Sequence, residues 1–195
     1  MMVYRCIFDK HSSIDNISFV ESPAIIEPLV YSKDYLTDKN IKLIYENSII
    51  TSPLLIPNQY IYRRDAEGEY YIYYTDVDVI TAANHIINNA KKIKFNYEHT
   101  NTFFDNINIV SVGLVGDYVN LNYYNLPHNT LFIQLLVNNE EVIKMIEEGK
   151  IQGLSIEGVM SMIEDTEAFI DLEIKRNNTL KYNTTINDKT FVYGK

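Results

Sequence analysis

A chain of 195 residues with 46% hydrophobic content has the length for one sizeable domain with a real core, which argues against wholesale disorder. Its formal net charge of −9 leaves no basic surplus to neutralise nucleic-acid phosphates. Its one cysteine, Cys6, excludes an internal disulfide and a Cys-x-x-Cys metal knuckle, and no apolar run approaches the roughly 18 residues of a membrane span.

Val3 to Phe8 reads as a strand, and Asp9, Lys10 and His11 interrupt it too early for a secretory signal. A second extended piece falls around Ile17 to Val20, after which Pro23 and Pro28 hold the backbone extended or turned. Residues 32–48 carry a mixed pattern that assigns no element. Ser52-Pro53-Leu54-Leu55-Ile56-Pro57 is an apolar run clipped by prolines, and it reads as an edge strand rather than a central one. Tyr60 to Arg63 and Glu69 to Thr75 form the clearest hairpin, with Asp65-Ala66-Glu67-Gly68 as its turn. Alternate tyrosines suit a half-buried sheet, rings packed and hydroxyls at the rim, and read as core before ligand platform.

Thr75 has the chemistry of a helix cap, and Asp78 three residues on completes a capping box. Val79, Ile80, Ala83, Ile86, Ile87 and Ala90 follow at helical spacing, with His85 beside that stripe as a boundary residue. After Lys91 and Lys92 the period changes to two, which puts Phe95, Tyr97 and His99 on one face. Thr100 to Asn108 reads as a polar loop, and Ile109 to Val115 as a strand in which Gly113 and Gly116 mark a bulge or bend. Residues 117–129 read as a loop and Thr130 to Val137 as a buried strand. Asn138 then caps a helix with Glu140 and Glu141 in its first turn, apolar Val142, Ile143 and Ile146, and Gly149 as its stop. Met160 to Glu167 reads as an acidic turn or short helix, and Ala168 to Lys175 alternates again.

Between those segments lies Gly153-Leu154-Ser155-Ile156-Glu157-Gly158. As a strand it turns Leu154 and Ile156 to one side and Ser155 and Glu157 to the other. An amphipathic strand with its polar face in solvent explains this spacing as simply as chemistry does. A serine that attacks a carbonyl needs a base, a group that orients the base, and donors for the oxyanion. His99 is the best base available and Ser155 the best nucleophile. Oxyanion donors could come from the backbone near Gly153 or Gly158, or near Gly113 and Gly116. No HExxH, Walker or GxGxxG pattern calls for a metal or nucleotide.

The stretch FNYEHT around His99, taken with EEGKIQGLSIEG around Ser155, resembles the prohead (capsid-maturation) proteases of tailed phages. These share one serine-protease fold with the herpesvirus assemblins. ISFVESPAI at 17–25, PLLIPNQYIYR at 53–63 and GEYYIYYT at 68–75 are similar to the opening of the same domain, so the resemblance spans roughly residues 1–160. It implies an α+β fold, a mostly antiparallel, barrel-like sheet flanked by a few helices. The protease-like domain would occupy 1–176, with 177–195 a polar tail or edge strand.

The resemblance further implies Ser155 as nucleophile and His99 as general base and acid. The third member stays open between Asp171, Glu173 and Glu157; no histidine follows Ser155, which excludes a Ser-His-His arrangement. The implied activity is peptide hydrolysis through an acyl-enzyme, without a cofactor or metal. The implied substrates are the major capsid protein, the scaffold protein and the chain itself, cut inside the prohead in the host cytoplasm. Self-association is expected; nucleic acid and membrane are not expected partners. The competing expectation is a non-catalytic head or scaffold protein on the same fold. A small-molecule binder using the tyrosine-rich sheet has no polar constellation in its favour.

Overall fold

Strand β2 (Ser13–Val20) alternates in the manner that sets up everything else: Ile17 and Phe19 are wholly buried among apolar neighbours, while Asn16 and Ser18 point to the opposite face. The computed structural model describes residues 2–22, 30–31, 48–66, 68–116 and 126–168. Within them β2 pairs antiparallel with β11 (Gly153–Val159) and parallel with β7 (Lys94–Tyr97), and β8 (Phe103–Phe104) closes that sheet beyond β7. Phe19 packs its ring against Phe95 at 6.3 Å and Phe104 at 6.0 Å, which fastens three strands of the sheet from its apolar side.

A second sheet has the order β12-β1-β6-β5, built from β1 (Met2–Ile7), β5 (Ile61–Arg64), β6 (Glu69–Tyr73) and β12 (Ser161–Glu164). The expected hairpin is its β5–β6 pair, whose turn is tied by Asp65 N–H to Gly68 O at 3.0 Å. Tyr62 and Tyr71 meet edge to face across it at 5.7 Å. A third sheet, wholly antiparallel, runs β3 (Val30–Tyr31), β4 (Ser48–Leu55), β10 (Leu131–Val137), β9 (Ile107–Leu114). Two helices complete the described elements, α1 (Asp76–Asn89) and α2 (Glu140–Glu147). The architecture is therefore α+β with mostly antiparallel sheets, and the described strands form no closed barrel. No helix among the described residues is long and apolar enough to cross a membrane.

Local chemistry explains the helix ends. Thr75 caps α1, its hydroxyl accepting from Asp78 N–H while the Asp78 carboxylate accepts from Thr75 N–H, the full capping box. After α2, Gly149 takes φ +70°, and Lys150 N–H bonds Met145 O at 2.9 Å while Gly149 N–H bonds Ile146 O at 3.0 Å. This Schellman pair reverses the chain straight into β11.

Several expectations need correction. The buried stripe of α1 is Val79, Ala82, Ala83 and Ile86, while Ile80 and Ile87 sit on its flank, 37% and 54% exposed. At 100° per residue the face centred on Val79, Ala83 and Ile86 reaches Ala82 before Ile80. The cap of α2 is Asn139, whose side chain accepts from Val142 N–H; Asn138 lies one residue too early. β4 is flanked on both sides, yet Pro53 lies past the two-residue β3 and beside a register shift facing Phe132, so its missing N–H is tolerated. The irregularity in β9 leaves Val110 without an opposite residue, whereas Gly113 makes room for the Phe132 ring. Residues 161–164 form an edge strand on β1 rather than a turn or helix, and a helical turn follows at 166–168. Residues 169–195, with Asp171, Glu173 and the tail at 177–195, lie outside the described residues.

Candidate functional site

The register of three strands lines up the polar side chains. Ser155 of β11 lies opposite Ser18 of β2, and Ser18 lies beside Asn96 of β7. One row along, Glu157 faces Asn16. Directly paired residues project to the same face, so Ser155, Ser18, Asn96, Glu157 and Asn16 form one polar patch behind the Phe19 core.

His99 joins the patch by a route that period-two reasoning misses. β7 ends at Tyr97, and Glu98 and His99 both adopt left-handed backbone, φ +50° and +56°. Two consecutive non-glycine residues in that region are costly and need local support. Support comes from Glu98 N–H bonding Phe19 O at 3.0 Å, Thr100 N–H bonding Tyr97 O at 2.9 Å, and the Glu98 carboxylate accepting from Glu21 N–H. The turn carries His99 away from the Phe95 and Tyr97 face, and its ring meets the polar patch instead.

There the His99 Nδ1 lies 2.9 Å from Ser18 Oγ and 3.7 Å from Glu157 Oε2. Ser18 Oγ donates to Asn96 Oδ1. Asn96 Nδ2 donates to Glu157 Oε2 at 3.0 Å and to Thr100 O at 3.1 Å, and Asn16 Nδ2 donates to the same carboxylate oxygen at 3.2 Å. The Asn96 amide beside Glu157 holds its carboxyl below the ordinary glutamate range; partial burial opposes this, while Asn16 and the His99 ring reinforce it. Ser18 and Asn96 are buried, while His99 and Glu157 keep 43% and 38% of their side chains exposed, so a ligand can reach them.

His99, Ser155 and Glu157 all line one cleft of about 800 Å³, between the β11 sheet and the tyrosine-rich hairpin. Its lining also includes Leu55, Tyr60, Ile61, Tyr62, Tyr71 and Tyr74, which make much of the cleft apolar and aromatic. A cleft of this size with few convergent polar groups has the form of a binding site. The expected core role of the tyrosines thus holds for Tyr74, which is buried, while Tyr62 is about half exposed at the rim.

Of the four glycines considered for an oxyanion site, Gly158 lines this cleft and Gly113 belongs to another sheet. Gly158 also has a packing reason: a Cβ there would fall 1.9 Å from Ser13 O. His85 has an ordinary partner, its Nε2 accepting from Ile14 N–H at 3.1 Å. Among the described residues, no group of three or more His, Cys, Asp or Glu is arranged to hold a metal ion.

Ser18, Asn96 and Asn16 were not singled out from the sequence. Their signal was small polar residues inside otherwise apolar strands; that they share a face follows only from strand register. No protein-family model matches the chain, and neither a curated protein nor a solved structure matches it significantly.

Proposed function

We propose that the chain is a serine endopeptidase of virus capsid maturation, with Ser155 as nucleophile, His99 as general base and acid, and Glu157 as the carboxylate facing the imidazole. The observation that carries this reading is the convergence of His99, Ser155 and Glu157 on one cleft, with His99 Nδ1 3.7 Å from Glu157 Oε2. Turning Nδ1 toward a carboxylate leaves Nε2 for the nucleophile, as acyl transfer requires.

In the proposed reaction Ser155 Oγ attacks the scissile carbonyl carbon as its proton passes to His99 Nε2. The carbonyl π pair moves to oxygen, and collapse expels the amine, which takes the proton from His99. Water then attacks the acyl-enzyme by the same steps. The trough of Leu55, Ile61 and tyrosine rings would hold the peptide side chains. Scaffold protein, capsid-protein extensions and the chain itself are the proposed substrates, cut within the prohead in the host cytoplasm. Self-association and the assemblin-like, barrel-like arrangement belong to the same proposal. Asp171 and Glu173 remain alternatives to Glu157.

A fluorophosphonate reagent followed by peptide mass spectrometry tests the reading without knowledge of the substrate. One adduct at Ser155 is expected, absent from Ser155→Ala and strongly reduced in His99→Ala. Coexpression with candidate capsid and scaffold proteins should give cleavage that Ser155→Ala abolishes. The second reading, a non-catalytic head protein, is favoured by the Ser18–Asn96–Glu157 bonds, which satisfy one another without any substrate. An unmodified Ser155 with every partner uncut would establish it over the protease.

A further inference from the structure

The buried hydrogen bonds behind His99 have a direction, and it can be worked out atom by atom. Asn96 Nδ2 faces two groups that only accept, Thr100 O and the Glu157 carboxylate. Rotating the amide would set its oxygen against both, so Nδ2 must stay where it is and Oδ1 must face Ser18. Oδ1 can only accept, and the hydroxyl of Ser18 has a single hydrogen, which is therefore given to Asn96. Toward His99 Nδ1, 2.9 Å away, Ser18 Oγ can then only accept. Nδ1 must carry a hydrogen. The nearby Glu157 Oε2 also accepts only, and imposes the same requirement.

We infer that Ser18 and Asn96 are positioning residues that hold the neutral His99 ring with its proton on Nδ1 and its Nε2 lone pair free to act as the base. The hydroxyl of Ser18 is wholly buried and touches no substrate; it acts through the imidazole. The direction of the whole chain of bonds is set at its far end by Thr100 O and the Glu157 carboxylate together, so Glu157 acts on His99 through Asn96 and Ser18 as well as across 3.7 Å. An imidazole free in water favours the opposite tautomer, with the proton on Nε2, which would leave no lone pair there for a nucleophile. The catalytic consequence rests on the proposed protease reading; the tautomer does not.

The two parts are separated by two readouts on the same protein. Histidine-selective ¹⁵N labelling and long-range ¹H–¹⁵N correlation spectra, at a pH where the ring is neutral, report which nitrogen of His99 is protonated. Wild type is expected to show the proton on Nδ1, and Ser18→Ala to move His99 toward the Nε2-protonated form. Ser18→Thr, which restores a hydroxyl, is expected to recover the wild-type pattern. The rate of fluorophosphonate labelling at Ser155 should fall on the order of 10-fold in Ser18→Ala, less than complete loss of a general base, because Glu157 remains. A wild-type His99 protonated on Nε2, or a tautomer indifferent to Ser18→Ala, overturns the inference, and the wild-type spectrum decides even where a variant fails to fold. Nδ1 protonation with no labelling of Ser155 upholds the tautomer and rejects the protease reading instead.

Discussion

Glu157 and Asn96 are joined across the β2 strand by a 3.0 Å hydrogen bond from Asn96 Nδ2 to Glu157 Oε2, although they are 61 residues apart in sequence. Asn16 and His99 approach the same oxygen, so one carboxylate gathers groups from β2, β7, β11 and the turn after β7. The carboxylate is thereby a structural element of the patch whether or not chemistry occurs there.

A pH dependence follows. Glu157 is held more acidic in the folded chain than an ordinary glutamate, chiefly by the Asn96 amide. In the intervening pH range the unfolded chain binds more protons, so stability rises with pH there. The contribution is complete above the ordinary glutamate pKa of about 4.3 and is lost as pH falls through the lowered folded value. Urea titrations of wild type and Glu157→Gln should therefore differ most near neutrality and converge as pH is lowered below the ordinary glutamate range. A stability difference that is constant with pH would remove the ionised carboxylate from this account.

Gly158 and Gly113 separate two kinds of crowding. The three atoms nearest a Cβ on Gly158 are all backbone: Ser13 O at 1.9 Å, Ser13 C at 2.7 Å and Ile14 Cα at 2.9 Å. A Cβ on Gly113 would meet the Phe132 ring, with Cζ at 2.5 Å, and a ring can shift where a paired strand cannot. Gly113→Ala should cost about 1–3 kcal/mol by overpacking, and Gly158→Ala more than that, because β11 must part from β2. Denaturant midpoints check the order. The reverse ranking would mean that the register shift between Glu157 and Gly158 yields easily.

These contacts show which parts of the fold could be read from residues and which could not. The Thr75–Asp78 box, the Gly149 stop and the 65–68 turn depend on neighbours a few residues apart, so the chemistry of each is complete in the local string. Register is different. That Ser18 stands between Ser155 and Asn96 depends on which strands pair and with what offset, and strand pattern carries only the alternation. His99 marks the other limit. Alternation put it with Phe95 and Tyr97, and two left-handed residues without a glycine to announce them turned it to the opposite face. Ser155 between its glycines, His99, and three candidate carboxylates with Glu157 among them stand out in the sequence. Their supporting residues, a serine and two asparagines, do not.

The cap of α1 offers a test far from the cleft. Asp78 is 3% exposed, and its carboxylate is bonded by Arg5 Nε at 3.0 Å and by Thr75 N–H at 3.0 Å, while Arg5 Nη2 also reaches Thr75 Oγ1 at 3.2 Å. Arg5 stands on β1, so this ion pair fixes the first turn of the helix to the sheet. Thr75→Ala removes a cap, a loss of about 1 kcal/mol. Arg5→Met keeps much of the side-chain bulk but leaves the buried carboxylate with its Thr75 bonds alone, and should cost about 2 kcal/mol. The pair should also be coupled, since both side chains bond the same carboxylate: the double variant is expected to fall short of the sum by about 0.5 kcal/mol or more. Equilibrium urea unfolding of the four proteins completes the cycle. Equal costs for the two single changes, or strict additivity, would show that water already satisfies Asp78 and that the ion pair is incidental to the start of the helix.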